Sequence, residues 1–393
     1  MIPFPIWKRS KVLNRFRTWR WPIGLVILTV LLLGASGCAG GVRATSWTGM
    51  TLVGERLYVA DVERVVVLDA TSGEPGWGFP EDPQETRLGA FQITPAVDEK
   101  RVIVASQVPP AGFLGSPQNI VWALDSNTGE ELWRFDEASG EYVEGGAIAQ
   151  GLFLVGNSDG NVYALDVDSG TRRWVFETGH RVWATPLIVS DTVYIGSMDR
   201  HLYALNLSDG VKRWDFHAQG AFASTPALRG DTLYIGAFDD RFYAIDARTG
   251  TERWHFSGQN WFWGNLAVHD NVVYAADVDG NVYAVDAESG QQIWHQALVD
   301  DRRQNEPVRA GPVLSEDGSR LFVGTQNGTL YALDAADGFV VWSQDSEGQM
   351  LSQPVVDGSV VYEMLIYGSY RVRARHVDNG REIWVYQPTV EEE

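Results

Sequence analysis

Residues 161–174 read NVYALDVDSGTRRW, and this stretch decides the fold because the chain repeats it. Close copies end at Trp214, Trp254 and Trp294, where the sequence reads HLYALNLSDGVKRW, RFYAIDARTGTERW and NVYAVDAESGQQIW. A repeat of about 40 residues that contains short strands is typical of a closed array of small sheets. Looser copies bring the total to eight and end at Trp77, Trp133, Trp342 and Trp384.

Each copy alternates apolar and polar residues over short runs, as in TVYIG at 192–196, and Gly, Asp or Asn residues separate the runs. This alternation indicates strands rather than helices, and each copy has room for four of them. The sequence therefore predicts an all-β fold, an eight-bladed β-propeller of four-stranded antiparallel blades that spans residues 48–393. How the first and last blades close the ring is left open.

The repeated tryptophans are predicted to be structural wedges between neighbouring blades, each burying on the order of 200 Å². Glycines such as Gly170 and Gly210 suit turns that need a positive φ angle. Alanines such as Ala164 are expected to leave room for a neighbouring indole. The predicted wedges are Trp77, Trp133, Trp174, Trp214, Trp254, Trp294, Trp342 and Trp384.

The N-terminal segment is predicted to direct and anchor the chain rather than to join the fold. Basic residues precede an apolar run at 23–33, and GASG at 34–37 stands directly before Cys38. This pattern resembles the lipobox of bacterial lipoproteins, which implies a signal peptide at 1–37, a lipidated Cys38 and a tether at 38–47. The alternative is an uncleaved membrane anchor. Cys38 is the only cysteine, so its lipidation would leave no thiol for a disulfide, a zinc-thiolate site or a nucleophile.

The residue after the cysteine predicts where the chain is located, and the net charge limits the partners that it can bind. Ala39, rather than Asp, follows the cysteine, which resembles the pattern for sorting to the outer membrane. We expect the chain on the periplasmic face of the outer membrane, or otherwise on the outer face of the cytoplasmic membrane. The formal net charge of -20 repels phosphate backbones, so no nucleic acid is expected as a partner.

One set of residues is a candidate binding surface because its members occupy similar positions ahead of the prolines, such as Pro186, that begin each blade. Equivalent positions in a propeller form a ring, so these side chains are expected to gather at one end of the central channel. The alternative is packing between blades. Insertions at 108–115 and 299–306 are further candidates, or else tolerated variation in length. The candidate surface consists of Phe91, Tyr142, Trp183, Phe222, Phe262, Trp263 and Arg309.

Signals for metal sites and catalysis are weak. Residues 157–161 and 277–281 place oxygen ligands at alternate positions, as calcium loops do, but both segments fall on predicted hairpin turns, whose own chemistry explains them. No phosphate-binding loop and no Gly-x-Ser-x-Gly motif occurs. The sequence predicts no metal site and no catalytic residues.

The motif Tyr-Ala-Leu-Asp-x-x-(Ser/Thr)-Gly-x-x-x-Trp resembles the PQQ-like, or quinoprotein-type, propeller repeat over nearly the whole mature chain. Together with the lipobox it is similar to the BamB family, lipoproteins of the outer-membrane β-barrel assembly machinery. That resemblance implies a non-catalytic scaffold that docks on the periplasmic domains of a barrel-inserting partner. The docking loop of the family carries a Leu/Arg-containing segment ahead of Ser-Ala-Pro. Comparable loops here, such as HAQGAFASTP at 217–226, lack it, so the partner's identity is left open.

Two other functions are weighed against the scaffold. One is an envelope propeller that binds or senses a ligand through its aromatic channel mouth. The other is a PQQ-dependent dehydrogenase, for which the same repeat implies a quinone cofactor, a calcium ion, an Asp base and a disulfide between adjacent cysteines. A chain with one cysteine cannot form that disulfide. We therefore predict a non-enzymatic scaffold with a protein partner and with neither PQQ nor calcium as a cofactor.

Overall fold

The strands of the protein follow the repeat, each blade being an antiparallel meander. The computed structural model describes residues 49–83, 86, 88–91, 93–110, 116–299 and 304–388. The predicted signal peptide at 1–37, Cys38 and the tether at 38–47 lie outside the described residues. Within the described part of the chain, no helix has the length and hydropathy needed to cross a membrane.

Eight sheets occur in chain order. Blade 1 contains β1 Met50–Val53, β2 Arg56–Asp61, β3 Arg64–Asp69 and β4 Pro75–Phe79. Blade 2 contains β5 Ala90–Phe91, β6 Ala96–Val97, β7 Arg101–Val108, β8 Gln118–Asp125 and β9 Glu131–Phe135. Blade 3 contains β10 Gly146–Ala149, β11 Leu152–Gly156, β12 Asn161–Asp166 and β13 Arg172–Glu177. Blade 4 contains β14 Leu187–Val189, β15 Thr192–Gly196, β16 His201–Asn206 and β17 Lys212–His217. Blade 5 contains β18 Ala227–Arg229, β19 Thr232–Gly236, β20 Arg241–Asp246 and β21 Glu252–Ser257. Blade 6 contains β22 Ala267–His269, β23 Val272–Ala276, β24 Asn281–Asp286 and β25 Gln292–Ala297. Blade 7 contains β26 Val313–Leu314, β27 Arg320–Gly324, β28 Thr329–Asp334 and β29 Val340–Asp345. Blade 8 contains β30 Val355–Asp357, β31 Val360–Met364, β32 Val372–His376 and β33 Glu382–Tyr386.

The predicted fold class is confirmed: the described residues form an all-β, eight-bladed propeller with antiparallel blades. Blade 2 differs in one respect, because its innermost strand is divided into β5 and β6, which both pair with β7. Buried apolar clusters fill the spaces between neighbouring blades, and each cluster takes side chains from both of them.

One joint is repeated between neighbouring blades. Trp174 of blade 3 donates a hydrogen bond from Nε1 to the carbonyl oxygen of Leu207 in blade 4, at 2.9 Å. Its indole also lies against Gly210, where an added Cβ would come within 2.6 Å of the ring and where φ is 71°. The turn glycine of the next blade therefore leaves space for the indole, and Ala164, a small residue, is the direct cross-strand neighbour of Trp174 inside its own blade. The other seven joints join Trp77 to Ser126, Trp133 to Val167, Trp214 to Ala247, Trp254 to Ala287, Trp294 to Ala335, Trp342 to Val377 and Trp384 to Ala70.

The ring is closed by the same joint. Trp384 of blade 8 donates to the carbonyl oxygen of Ala70 in blade 1 at 3.0 Å, and the Tyr362 hydroxyl donates to the same oxygen at 3.1 Å. A largely buried ion pair between Arg371 and Asp61 also joins blade 8 to blade 1, at the opposite end of their strands. All strands of blades 1 and 8 come from their own segments, so the described residues exchange no strand between these blades. With eight blades in a closed ring, blade 3 lies opposite blade 7.

The meander distributes its connections between the two ends of the ring. The turns between second and third strands and the connections between blades lie at one end, which we call the loop face; the remaining turns form the turn face. The described ends of both predicted insertions belong to the loop face, since 108–115 joins β7 to β8 and 299–306 joins blade 6 to blade 7. Residues 111–115 and 300–303 of these insertions lie outside the described residues.

Candidate binding surfaces on the loop face and in the axial channel

The predicted aromatic surface divides into two successive positions of the inter-blade connections. At the first position, backbone amides of Phe222 and Phe262 donate to Ser197 and Ala237 of the preceding sheets, at 3.1 and 3.2 Å. These hydrogen bonds turn the side chains inward, between blades. Four of the seven predicted residues are therefore buried core and cannot form a surface, as the packing alternative stated: Phe91, Tyr142, Phe222 and Phe262.

The second position, one residue later, faces the channel mouth and holds the other three predicted residues. Trp183 and Trp263 stack with ring centroids 6.3 Å apart and planes 26° apart. The Arg309 guanidinium carbon lies 5.1 Å from the centroid of the Trp263 ring. All three side chains are half-buried. Trp183 is held further by a hydrogen bond from its Nε1 to the Ser158 hydroxyl, at 3.1 Å.

Two aromatic residues that the sequence did not single out extend this group. Phe238 lies in the turn between β19 and β20. Its ring centroid is 4.8 Å from that of Trp263 and 5.2 Å from that of Trp261. Trp261 is 44% exposed. Phe238 could have been found by comparing equivalent turns, because it is an aromatic residue at a position where other copies carry Ser158, Met198, Val278 or Gln326. We define the aromatic patch as Trp183, Phe238, Trp261, Trp263 and Arg309.

The aromatic patch has the chemistry of a protein-binding surface. Stacking holds its rings in place, so little side-chain entropy is left to lose on binding. Trp and Arg are the residue types that most often dominate the energy of protein interfaces. Arg309 adds a cation that can form paired hydrogen bonds with a carboxylate. The patch therefore suits a partner that presents apolar side chains next to an acidic one.

A second site lies on the ring axis. It is a channel of about 440 Å³ whose walls take residues from all eight blades. Asn265 Oδ1 accepts a hydrogen bond from the Thr225 amide at 2.8 Å, and Gln353 Nε2 donates to the Pro312 carbonyl at 2.7 Å. These contacts hold a polar ring at the equivalent position of five blades, made of Thr94, Thr185, Thr225, Asn265 and Gln353.

Glu144 is a carboxyl group enclosed in this channel. Burial raises its pKa from the ordinary value of 4.5 to about 8, opposed only by a hydrogen bond from the Thr185 amide, which is long at 3.4 Å. The side chain keeps part of its surface toward the channel interior. Glu144 and Arg309 are the two ionisable side chains among the described residues that line the channel.

The raised pKa of Glu144 predicts a specific pH dependence of stability. The folded protein keeps this carboxyl protonated up to about pH 8, whereas the unfolded chain ionises it near pH 4.5. Its stabilising contribution is therefore complete below pH 4.5 and is lost as the pH rises toward 8. Glu144→Gln removes this titration, so the difference in unfolding free energy between variant and parent should change by at most about 1.4 kcal/mol per pH unit.

Urea unfolding followed by circular dichroism at pH 5, 6, 7 and 8 measures this difference, roughly spanning the titration. The expected result is that the parent loses stability relative to Glu144→Gln as the pH rises. Parallel profiles would show that the carboxyl titrates normally and is open to solvent.

In the two segments that resembled calcium loops, the carboxylate oxygens already accept hydrogen bonds from nearby groups. Asp277 accepts from the Asp279 and Asn281 amides and from the Tyr283 hydroxyl, at 2.9–3.0 Å. Asp159 accepts from the Asn161 amide and from a tyrosine hydroxyl in the same manner. These carboxylates hold turns. Among the described residues, no group of three or more His, Cys, Asp or Glu side chains could hold a metal ion.

The family model described as outer membrane protein assembly factor BamB matches residues 33–178, 158–315 and 278–393. A curated relative, the outer membrane protein assembly factor BamB of Shewanella oneidensis, is 32% identical over 83 residues. That match covers 21% of this chain and 20% of the relative, so it spans only about a fifth of the relative's length.

Solved structures agree on the fold. BamB from Moraxella catarrhalis superposes with a TM-score of 0.67 and 19% identity, covering 85% of this chain and 95% of that one. A quinohemoprotein alcohol dehydrogenase from Pseudomonas putida HK5 superposes with a TM-score of 0.60 and 15% identity, covering 75% of this chain and 66% of that one. At these identities the likeness establishes the propeller fold alone.

Proposed function

The chain belongs to the family of the outer membrane protein assembly factor BamB, and on that premise we propose that it is a non-catalytic, lipid-anchored scaffold of the cell envelope. In this proposal Cys38 carries the lipid and the ring sits on the periplasmic face of the outer membrane. The loop face docks a protein partner that takes part in assembling outer-membrane proteins.

The aromatic patch is the observation that carries the proposal. It lies on the loop face, and its most accessible ring, Trp261, is 44% exposed although it is a large apolar side chain. The described ends of both insertions belong to the same face. A docking partner would therefore meet the patch together with the two segments in which the copies differ most in length.

The lining of the axial channel supports a non-enzymatic role. Quinoprotein chemistry needs a divalent ion held by several carboxylate and amide oxygens, together with an acidic base. Among the described lining residues, Glu144 is the single carboxylate. One carboxyl group cannot serve both as ion ligand and as base, so the donor set does not fit that cofactor.

Co-purification tests the proposal. The full-length chain with a C-terminal tag is crosslinked in intact cells, extracted in mild detergent and purified, and its partners are identified by mass spectrometry. We expect a component of outer-membrane assembly with the parent chain and its loss, by about tenfold or more, with the triple variant Trp183→Ala, Trp261→Ala, Trp263→Ala. Cys38→Ser should move the chain from the membrane fraction to the soluble fraction.

A matched control lies at the other end of the ring. Phe339 is 70% exposed on the turn face, and Phe339→Ala should leave the partner bound. Retention of the partner by the triple variant, or its loss with Phe339→Ala, would contradict docking through the aromatic patch. A chain that carries no assembly component under crosslinking would contradict the scaffold role itself.

A further inference from the structure

The axial channel combines a ligand-sized volume with two opposite charges. Its volume of about 440 Å³ falls within the range of roughly 300–1,000 Å³ that is usual for small-molecule sites. Glu144 belongs to the connection that begins blade 3, and Arg309 to the connection that begins blade 7. Because blades 3 and 7 lie opposite each other in the closed ring, the two charged residues enter the channel from opposite walls.

Arg309 also stands one position nearer the loop face than Glu144. Residue 144 is equivalent to Ala184 and Ala310, whereas Arg309 is equivalent to Trp183. A ligand that spans the channel from wall to wall would thus have its cationic end slightly deeper than its anionic end. The polar ring of threonine, asparagine and glutamine side chains surrounds the space between them.

We propose that the axial channel binds a small zwitterion, with a ligand ammonium group against Glu144 and a ligand carboxylate against Arg309. The channel site shares Arg309 with the aromatic patch, but this proposal does not depend on the protein-docking function proposed above.

The chemistry of each wall favours one end of such a ligand. The described channel offers no cation beside Glu144 other than the arginine on the opposite wall, so a ligand ammonium would supply the counter-charge that ionisation of this carboxyl lacks. A guanidinium presents its N–H donors in its own plane and can stack its face on an aromatic ring at the same time. Arg309 lies over the Trp263 ring and also lines the channel, so a ligand carboxylate in the channel can approach its N–H donors.

Isothermal titration calorimetry tests whether the channel binds a zwitterion and which separation of the two charges it prefers. The probe is 6-aminohexanoate, titrated into the full-length chain in mild detergent, with hexylamine and hexanoate as singly charged controls of equal length. We expect the zwitterion to bind at least about tenfold more tightly than either control. Shorter and longer ω-amino acids then locate the best separation of the two charges. Equal binding of hexylamine, or no heat with any member of the series, would overturn the proposal.

Variants assign the two ends. Glu144→Gln should weaken binding of 6-aminohexanoate by about tenfold or more and leave binding of hexanoate unaffected. Arg309→Gln should also weaken binding of 6-aminohexanoate by about tenfold or more, but should leave binding of hexylamine unaffected. Glu177→Gln, at an exposed position of β13 outside the channel, is the matched control. Circular dichroism checks that each variant is folded. Undiminished affinity in both channel variants would overturn the assignment.

Proton release gives an independent readout. Glu144 has a pKa of about 8 in the free protein, so an ammonium group that binds beside it expels a proton at lower pH. The apparent affinity for 6-aminohexanoate should rise by up to about tenfold per pH unit below pH 8 and level off above it. Titrations in buffers of different ionisation enthalpy count the proton, and Glu144→Gln should release none. A pH-independent affinity in the parent chain would contradict contact with this carboxyl.

Discussion

Replacing Trp174 by alanine is expected to lower the free energy of unfolding by about 3–5 kcal/mol, the usual cost of removing a buried aromatic side chain. Trp174 is 8% exposed and donates to Leu207 across the blade boundary. Its ring covers Gly210, a position where no side chain can fill the space left behind. The lost apolar contact and the cavity therefore both lower the free energy of unfolding of the variant.

Trp183 is the matched control, because it is a tryptophan of the aromatic patch rather than of a joint. It is half-buried, so Trp183→Ala should cost clearly less than Trp174→Ala, about 1–2 kcal/mol. Urea unfolding followed by circular dichroism compares the two variants. Equal losses would show that the repeated tryptophans do not carry the joints.

Trp384→Ala extends the same test to ring closure. Its joint with Ala70 has the same geometry as the internal joints, so its loss should also be about 3–5 kcal/mol. A much smaller loss would mean that the first and last blades are held by something other than this joint.

The second large effect is expected from the buried charges of blade 8. Glu363 is 0% exposed and accepts hydrogen bonds from the Ser346 hydroxyl at 2.7 Å and from Arg375 Nε at 3.0 Å. Arg373 lies 3.7 Å from the same carboxylate oxygen. Glu363→Gln leaves two largely buried arginines without this counter-charge, and we expect a loss of about 3–5 kcal/mol.

Blade 5 has uncharged residues at the positions of this network, and these residues provide a control. Strand pairing makes Glu363, Arg373 and Arg375 equivalent to Ile235, Tyr243 and Ile245 of blade 5. The triple variant Glu363→Ile, Arg373→Tyr, Arg375→Ile should lie within about 1–2 kcal/mol of the parent, because a buried ionic group contributes little beyond a well-packed apolar one. If the triple variant were as unstable as Glu363→Gln, specific geometry rather than charge balance would explain the network.

The fold was predictable because seven of the eight joints link consecutive copies of the motif. Trp174 and Gly210 belong to adjacent copies of one motif, and any pair of copies repeats their relation. The ion pair that adds to ring closure was not predictable, since Arg371 and Asp61 lie outside the motif and meet only when the ring is complete. The charged residues of blade 8 occupy positions that are apolar or aromatic in other copies, so the motif carries no information about their pairing.

The candidate site was predictable only in part, because one residue of register separates core from surface. Phe222 and Trp183 stand at neighbouring positions of equivalent connections, yet the first is buried between blades and the second lines the channel mouth. Phe238 reaches the aromatic patch from a different turn of the blade. Glu144 stands out in sequence only as an acid where equivalent positions hold Ala184 or Ala310, and its burial depends on the closed ring.

Site-specific photocrosslinking tests docking through the loop face most directly. A benzophenone amino acid replaces Trp261 in one chain and Phe339 in another, the two being 44% and 70% exposed at opposite ends of the ring. Irradiation of intact cells should join the outer-membrane assembly component found by co-purification to position 261 and not to position 339. Capture of that component from position 339 alone, or equally from both positions, would contradict a docking surface built on the aromatic patch.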